Sequence, residues 1–296
     1  MKHLKSMLLF ATLALVFSSV SYASPLVSVD WLEKNQDSVV VLDVQNKPTA
    51  YGKGHIHGAV QVVRHRDLED YTAYPPNKYP TKAQFEKLMS ELGVTNTSTV
   101  VSYDDHHGIF ASRLFVIMEL YGHDIDKLKV LDGGIVAWKA AGKKVSTQTT
   151  MAKKSTYTAS DRKPNVVVSW SDVFRNVIQL KDESIVLLDS RPNKEFVGEK
   201  KRTTRSGHIP RSINVTGQTA INLNEEQTYK SVTDIKDAFS SKGITTDKTV
   251  YVYCHSSDRS AHAYVAMKYL AGYADVKIYD GAWLEWANLT ALPIEN

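Results

Sequence analysis

The chain has 296 residues, with 36 Lys and Arg against 32 Asp and Glu and a formal net charge of +4. Such a weak positive balance gives no support for nucleic-acid binding. After Ala23 no stretch is long and apolar enough to span a membrane, so no membrane partner is expected. The remaining length, about 270 residues, is enough for two domains of ordinary size.

Residues 1–23 have the pattern of a secretory signal peptide. Lys2 and Lys5 precede an apolar run over 7–17, and Ser21 and Ala23 place small residues at both recognition positions for cleavage. Removal of the two lysines leaves a mature chain near +2 (4 − 2). We therefore expect an exported protein, most simply periplasmic in a bacterium.

The mature chain reads as apolar strands alternating with helices, in the same order twice. In the first half the predicted elements are a helix after Ser28, a strand over 39–44, a loop with Gly54-His55-Ile56, a helix over 81–92, a strand over 99–103 with a helix behind it, a strand ending at Asp132 and a helix with Trp138. In the second half they are a helix after Ser169 with Asp172 in a capping box, a strand over 185–188, a loop with Gly207-His208-Ile209, a helix over 231–241, a strand over 249–253, a helix stopping at Gly272, a strand ending at Asp280 and a helix with Trp286. This alternation predicts an α/β fold with parallel sheets covered by helices on both faces.

The two halves are an internal repeat. Residues 99–104 match 249–254 at an offset of 150 (254 − 104). A unit of this length is too long for a solenoid repeat, so it predicts a tandem duplication of a whole domain. We expect one domain over 24–147 and a second over 165–296, joined by a polar linker over 148–164 that is rich in Thr, Ser and Lys.

The lone cysteine, Cys254, lies between a predicted strand and a predicted helix. An exported chain with one cysteine can form neither an internal disulfide nor a CxxC pair. The helix N-terminus presents unpaired amides to the loop, and Arg259 follows, so both features favour a thiolate. A buried, inert cysteine is the alternative, but the small polar neighbours favour a nucleophile. This hypothesis requires a cavity that opens onto the sulfur.

Five segments resemble the tandem-domain rhodaneses, a family that includes thiosulfate and 3-mercaptopyruvate sulfurtransferases. They are Leu-Leu-Asp-Ser-Arg at 187–191, Glu-Phe at 195–196, Ser-Gly-His-Ile-Pro at 206–210, Tyr-Cys-x4-Arg-Ser at 253–260 and Tyr-Asp-Gly-Ala-Trp from 279. The resemblance implies two rhodanese-like domains, each a parallel sheet flanked by helices on both faces. It also implies an inactive first domain, where Asp104 replaces the cysteine, and a catalytic second domain.

The resemblance implies roles for individual residues. Cys254 would be the catalytic nucleophile, in an active-site loop made of His255, Ser256, Ser257, Asp258, Arg259 and Ser260 whose amides cradle the outer sulfur. Arg191 and Arg259 would bind the anionic substrate. Arg259 has the alternative of an exposed helix start, and Arg191 that of an ion pair with Asp189. This loop differs from the thiosulfate-type and mercaptopyruvate-type patterns and is closer to single-domain rhodaneses, so the identity of the donor stays open.

The sequence indicates minor roles for three further residues of the second domain. His255 would add positive charge below about pH 6.5. Arg205 reads as a loop charge, and His208 as a residue that packs or caps locally.

Together these residues predict a sulfurtransferase. It would move sulfur from a small anionic donor, thiosulfate ahead of 3-mercaptopyruvate, through a Cys254 persulfide to a thiol or cyanide, with no cofactor. A non-enzymatic persulfide carrier or redox sensor is the alternative. A phosphatase or arsenate reductase is disfavoured, because the Cys-x4-Arg loop is one residue short and Asp258 would repel a phosphate dianion. The oligomeric state stays open.

A second cluster carries chemistry of a different kind. The run Asp104-Asp105-His106-His107, with His55 and His57 in the same half, holds oxygen and imidazole groups that suit zinc, copper or nickel. Adjacent residues rarely converge on one ion. We therefore expect this run to be the degenerate counterpart of the Cys254 loop, without a metal.

Overall fold

The computed structural model describes residues 24–223 and 226–296. The predicted signal peptide lies outside the described residues. The first sheet consists of β1 (Leu26–Val27), β2 (Val40–Asp43), β3 (Val60–Gln61), β4 (Val100–Tyr103) and β5 (Leu128–Leu131). The second consists of β6 (Val167–Val168), β7 (Ile185–Asp189), β8 (Ile213–Asn214), β9 (Thr249–Tyr253) and β10 (Asp275–Tyr279).

The two sheets have the same topology. Their strand orders are β1-β5-β4-β2-β3 and β6-β10-β9-β7-β8. Every neighbouring pair is parallel, as the alternation of strands and helices requires. The predicted α/β fold and the internal duplication are therefore confirmed.

Helices cover both sheets. In the first half they are α1 (Val29–Asn35), α2 (Pro48–Tyr51), α3 (Arg64–Asp67), α4 (Lys82–Glu91), α5 (Ile109–Leu120) and α6 (Gly134–Ala140), with 3-10 turns at Gln36–Ser38 and Ile125–Lys127. In the second half they are α7 (Trp170–Val173), α8 (Asn193–Phe196), α9 (Val232–Ser240), α10 (Asp258–Val265) and α11 (Ala282–Asn288), with a 3-10 turn at Gly217–Ala220. Helices α7 and α10 continue as π-helical turns, Phe174–Gln179 and Ala266–Leu270. No helix among the described residues has the length and apolar character needed to cross a bilayer.

The helix starts follow the local sequence. Ser28 accepts the Trp31 amide at the start of α1, and Ser169 forms the predicted capping box with Asp172. The predicted strands before Asp132 and Asp280 end one residue earlier than expected. These two carboxylates instead reach across to the other half of the molecule, where they accept backbone N–H groups.

One apolar core joins the two halves. Every residue of α5 is buried, and α5 packs against α10 between the two sheets. Burial of this shared surface favours association of the halves. The predicted linker over 148–164 contains no helix or strand, yet it lies against the first half and buries Tyr157 and Ala159. The linker is therefore an ordered segment that packs on the first half, and not a flexible, solvated connection.

Candidate active site

Cys254 directly follows β9 and stands in a loop that leads into α10. We refer to residues 254–260 as the Cys254 loop. Ser257 has a φ of 62°, in the left-handed region, and turns the chain into the helix. The Ser260 hydroxyl donates to the Cys254 sulfur at 3.7 Å. Since the sulfur contacts a hydroxyl at a helix N-terminus, it does not lie in purely apolar packing.

The Cys254 loop faces a cleft of ≈ 500 Å³ between the two halves. From the second half, Arg202, His255, Ser256, Asp258, Arg259 and Leu284 line this cleft. The Cys254 side chain itself has no exposed surface. A cavity therefore reaches the loop, but the opening onto the sulfur that the nucleophile hypothesis requires is not present. Movement of side chains along the loop is needed before a donor can contact Cys254.

Arg259 is the cation nearest to the thiol in the sequence and is held by Glu195. Its Nη1 lies 3.5 Å from the Glu195 Oε1, and Arg202 Nη1 lies 3.5 Å from the same oxygen. Burial opposes the charge of Glu195, but Arg259 and then Arg202 hold its pKa below the usual value. Burial also opposes the charge of Arg259, yet Cys254 and Glu195 raise its pKa. Arg259 is thus a fixed positive charge beside the sulfur.

His255 does not supply the positive charge expected from the sequence. Burial, with Arg202 next, lowers its pKa from 6.5 to about 4. The imidazole therefore stays neutral until the pH falls to about 4, and the expectation of positive charge below about pH 6.5 is wrong. The sequence around His255 does not show that Arg202, Arg259 and Arg191 come close to it in the fold.

This depressed pKa predicts a change in acid stability. The unfolded chain takes up the proton near pH 6.5 and the folded chain only near pH 4, so folding loses stability as the pH falls through this window. We expect His255→Gln to reduce the fall in melting temperature between pH 7 and pH 4, measured by thermal denaturation. The matched control is His57→Gln, at an exposed position. Identical pH dependence in the two variants would contradict this prediction.

The first half contains a loop of the same shape with a carboxylate in place of the thiol. Asp104 follows β4 as Cys254 follows β9, and His107 has the same φ of 62° as Ser257. The Asp104 Oδ1 accepts the amides of His106 and Gly108 at 2.7 and 2.9 Å. Its Oδ2 accepts the amides of Phe110 and Ala111 at 2.7 and 3.0 Å. Four backbone donors therefore enclose one carboxylate.

The repeat predicts the same arrangement in the Cys254 loop. At the offset of 150, the four donor amides correspond to those of Ser256, Asp258, Ser260 and Ala261. Amides in the first turn of a helix have no partner within the helix, so they are free to bind an anion. The Asp104 loop is thus the degenerate counterpart that the sequence predicted, and its own side chain fills the amide ring.

The residues considered for a metal site are engaged elsewhere. The Asp105 Oδ1 accepts the Asn46 amide at 2.7 Å, and the His55 Nδ1 lies 2.8 Å from the Tyr51 carbonyl. Among the residues of 24–223 and 226–296, no three His, Cys, Asp or Glu side chains come together as metal ligands would.

Comparison with known proteins agrees with this geometry. The rhodanese-like domain family matches residues 28–141 and again residues 177–289. The chain belongs to the rhodanese family. The predicted pair of rhodanese-like domains is therefore confirmed, and the matched ranges fall within the domain boundaries expected from the sequence.

Relatives of this rhodanese are known from several organisms. The "Sulfur carrier protein TtuD" of Thermus thermophilus is 32% identical over 93% of this chain and 98% of its own. A "Putative thiosulfate sulfurtransferase" of Saccharopolyspora erythraea is 33% identical over 92% of this chain and 96% of its own. Among solved structures, SseA from Escherichia coli, described with 3-mercaptopyruvate sulfotransferases, matches at a TM-score of 0.78 and 26% identity, covering 88% of this chain and 99% of SseA. The predicted sulfurtransferase class of enzyme is confirmed by these relatives.

The Asp104 ring yields a prediction for the first rhodanese domain. We expect Asp104→Ala to lower the free energy of unfolding by about 3 kcal/mol, because buried amides lose their acceptor. Turnover by the folded protein should not change, since this domain has no nucleophile at that position. Urea unfolding and steady-state assays on the same sample measure both effects. Asp105→Ala, which removes one hydrogen bond, is the control; a large loss of turnover would show that the first loop takes part directly.

Arg191 has a structural role rather than the predicted substrate contact. It is 1% exposed, and its Nη2 donates to Asp189 at 2.6 Å and to the Gly207 carbonyl at 2.8 Å. Its guanidinium also stacks 4.4 Å from the Trp283 ring centre. Arg191 is not among the residues that line the cleft. The structural alternative, the ion pair with Asp189, is observed, and no contact of Arg191 with the cleft supports substrate binding.

Arg205 and His208 also act locally. Arg205 donates to the carbonyls of Trp286, Ala287, Leu289 and Leu292, so it caps the C-terminal end of α11. The His208 ring stacks on Phe196 with ring centres 3.7 Å apart, which confirms the expected packing role.

Four residues at the site were not predicted from the sequence. Arg64 and Arg113 of the first domain contact the Cys254 loop, and Glu195 and Arg202 surround Arg259. Only Arg113 could have been found from the sequence. It is the one cation in a largely apolar stretch of α5, and a charge buried in such a stretch requires a partner. Glu195 lies in one of the segments that carry the family resemblance, but the resemblance gave it no role. Arg64 and Arg202 stand next to other charged residues, and nothing in the sequence distinguishes them from surface charges.

Proposed function

We propose that this rhodanese transfers a sulfane sulfur from thiosulfate to a thiol or cyanide through a persulfide on Cys254. The observation that carries the proposal is the amide ring around Asp104. An aspartate side chain places its anionic atoms one bond beyond Cγ, much as a persulfide places its charged sulfur one bond beyond Sγ. The repeat puts Cys254 at the same position of an equivalent ring, which favours a negatively charged outer sulfur there.

The proposed reaction has two displacement steps. The Cys254 thiolate attacks the outer sulfur of thiosulfate, a bond forms between the two sulfurs, and the bond to the sulfite group breaks with its electron pair leaving on sulfite. The acceptor thiolate or cyanide then attacks the outer sulfur of the persulfide. The electron pair of the broken bond returns to Cys254 as the thiolate, so the cycle needs no external oxidant or reductant.

The charge of the cleft supports an anionic donor. Arg64, Arg202 and Arg259 line it, together with Glu69 and Asp258. Arg64 is paired with both of these carboxylates, whereas Arg202 and Arg259 share the single carboxylate of Glu195, so these two arginines are the cations left to attract a donor. Positive groups around a cleft attract small anions and raise their local concentration. The thiosulfate sulfurtransferase name of the Saccharopolyspora relative supports thiosulfate, whereas the likeness to SseA keeps 3-mercaptopyruvate as the second donor.

A non-enzymatic sulfur carrier is the second candidate function, since the Thermus relative bears that name. Steady-state assays with thiosulfate and cyanide separate the two. A sulfurtransferase releases many thiocyanate molecules for each Cys254, and we expect this result. A single stoichiometric release, followed by no further product, would instead favour the carrier. Replacement of thiosulfate by 3-mercaptopyruvate in the same assay compares the two donors through kcat/KM.

We further propose that the protein is exported and acts in the periplasm. The two lysines, the apolar run and the small residues up to Ala23 support this address. Expression of the full chain in a Gram-negative host, with N-terminal sequencing of the periplasmic fraction, tests the proposal. A mature chain that begins at Ser24 supports it, and an uncleaved chain in the cytoplasm contradicts it.

A further inference from the structure

The rhodanese domain without a nucleophile holds the loop of the domain that has one. Three of its side chains contact three consecutive residues of the Cys254 loop. The Arg113 Nη1 donates to the Ser256 carbonyl at 2.9 Å, and the Tyr79 hydroxyl donates to the Ser257 carbonyl at 3.4 Å. The Arg64 Nε donates to the Asp258 Oδ1 at 2.7 Å, and its Nη2 pairs with the other oxygen of the same carboxylate.

Arg113 joins the Cys254 loop to the body of the first domain. It is completely buried in α5, and its guanidinium lies 4.7 Å from the Tyr79 ring centre. Besides Ser256, it donates to the Leu68 carbonyl at 3.1 and 2.8 Å and to the Asn77 carbonyl at 2.7 Å. A planar guanidinium with this many acceptors has little freedom. The carbonyl of Ser256 is therefore fixed to a rigid part of the fold.

These contacts control where the loop amides point. A trans peptide is planar, so its N–H and C=O point in opposite directions. The Ser257 carbonyl and the Asp258 amide belong to one peptide; Tyr79 holds the carbonyl, which turns the amide the other way. At the repeat offset this amide corresponds to that of Gly108, which donates to the Asp104 carboxylate at 2.9 Å. The first domain thus fixes a donor that the proposed persulfide needs.

Arg64 adds a second effect through charge. Asp258 lies in the Cys254 loop, where a free carboxylate would repel an anionic outer sulfur. The side chains of Arg64 and Asp258 are 8% and 11% exposed, and Arg113 Nη1 lies 3.5 Å from the same carboxylate. Arg64 Nη2 also lies 3.2 Å from the Glu69 Oε1. The two arginines therefore offset two carboxylates, one of them in the Cys254 loop, in a mostly desolvated position where charge interactions are stronger than in water.

We infer that Arg64 and Arg113 of the first domain are positioning residues for sulfur transfer at Cys254. They act through the Cys254 loop, by fixing its amides and offsetting Asp258, and do not act by binding the donor. The domain without a nucleophile thereby contributes to the active site of the other domain. This inference rests on the proposed function, but the state of the loop can be measured without it.

The first test compares Arg64→Gln with Arg66→Gln, whose side chain is 70% exposed and lies outside the cleft. Persulfide formation on Cys254 is followed with thiosulfate and with dimethyl trisulfide, an uncharged sulfur donor. The Cys254 thiolate displaces methanethiolate from the central sulfur of the trisulfide, and this methanethiolate then removes the remaining methylthio group as dimethyl disulfide, which leaves one added sulfur on Cys254. We expect Arg64→Gln to lower the rate constant about tenfold with both donors, because a misplaced loop slows every attack. Arg66→Gln should match the wild type. A loss confined to thiosulfate would show that Arg64 binds the donor's charge and would overturn the inference.

The second test uses the partner carboxylate. Arg64→Gln, Asp258→Asn and the double variant form a double-mutant cycle on the same rate constant. If the two residues act as one unit, the double variant should lose about tenfold, no more than either single variant. A loss near the product of the two single effects would contradict the pairing. Arg113→Lys keeps the charge but not the planar fork, so we expect an intermediate loss of the rate constant, measured on the folded fraction, together with a lower melting temperature because buried carbonyls lose their donors.

The third test does not depend on sulfur transfer. Hydrogen exchange of the peptide that covers 254–261 reports the order of the loop in the resting protein. We expect this peptide to exchange about tenfold faster in Arg64→Gln than in Arg66→Gln. Equal exchange would overturn the positioning role even if Cys254 carries sulfur. If the peptide exchanges faster in Arg64→Gln but the wild-type protein accepts no sulfur, the loop contact is correct and the proposed function is wrong.

Discussion

Cys254→Ser is expected to fold like the wild type and to lose sulfur transfer by about a thousandfold or more. Serine fits the space of the thiol and keeps a polar atom next to Ser260, so we expect a change in stability of less than about 1 kcal/mol. An alkoxide does not form at neutral pH under these conditions, and the nucleophile is therefore lost. Thiocyanate production from thiosulfate and cyanide measures the loss.

Thermal denaturation of Cys254→Ser is the control that separates lost chemistry from lost folding. The chain has only one cysteine, so no second thiol can substitute for it. Residual activity near the wild-type level in a well-folded variant would contradict the assignment of Cys254 as the nucleophile.

Arg191→Met is expected to destabilise the second domain by about 3–5 kcal/mol, because it leaves the Asp189 carboxylate buried without its cation. Asp189 and Arg191 are 0% and 1% exposed, so water cannot replace the lost partner. The KM for thiosulfate measured on the folded fraction should stay near the wild-type value, since Arg191 does not line the cleft. Urea unfolding and steady-state kinetics measure the two quantities.

The double variant Asp189→Leu, Arg191→Met is the matched control for this pair. Removal of both charges should recover part of the stability, because neither partner is then left buried and unpaired. A stable Arg191→Met protein with a strongly raised KM would show that the sequence-based assignment to substrate binding was correct and that the ion pair is incidental.

The architecture was predictable because its determinants are local and are repeated. Apolar runs before Asp43 and Asp189, serine caps at 28 and 169, and the matched segments over 99–104 and 249–254 each indicate the same α/β unit. The strand ends at Asp132 and Asp280 were not predictable in this way. Those side chains serve contacts between the domains, which no local pattern records.

The nucleophile and its loop could be found from the sequence, whereas the cations around them could not. Cys254 is singular and follows a strand, so its position alone indicates its chemistry. Arg64 lies 194 residues away from Asp258 in sequence, and their contact depends on how the domains pack. For Arg191 the deciding contact is local. The family motif indicates a role in substrate binding, but Asp189, two residues earlier at the end of β7, forms an ion pair with its guanidinium.

The burial of Cys254 also could not be predicted from the sequence. A loop of small polar residues predicts an accessible thiol, yet the packed side chains leave no exposed surface on it. The depressed pKa of His255 also arises from burial in the folded chain, with Arg202 and Arg259 of its own domain as further causes.

Intact-mass spectrometry of the purified protein after incubation with thiosulfate tests the central claim most directly. We predict a gain of one sulfur atom in the wild type, its loss after addition of cyanide, and no gain in Cys254→Ser. A sulfur adduct that persists in Cys254→Ser, or a wild-type protein that gains no sulfur from thiosulfate, 3-mercaptopyruvate or dimethyl trisulfide, would contradict a persulfide at position 254.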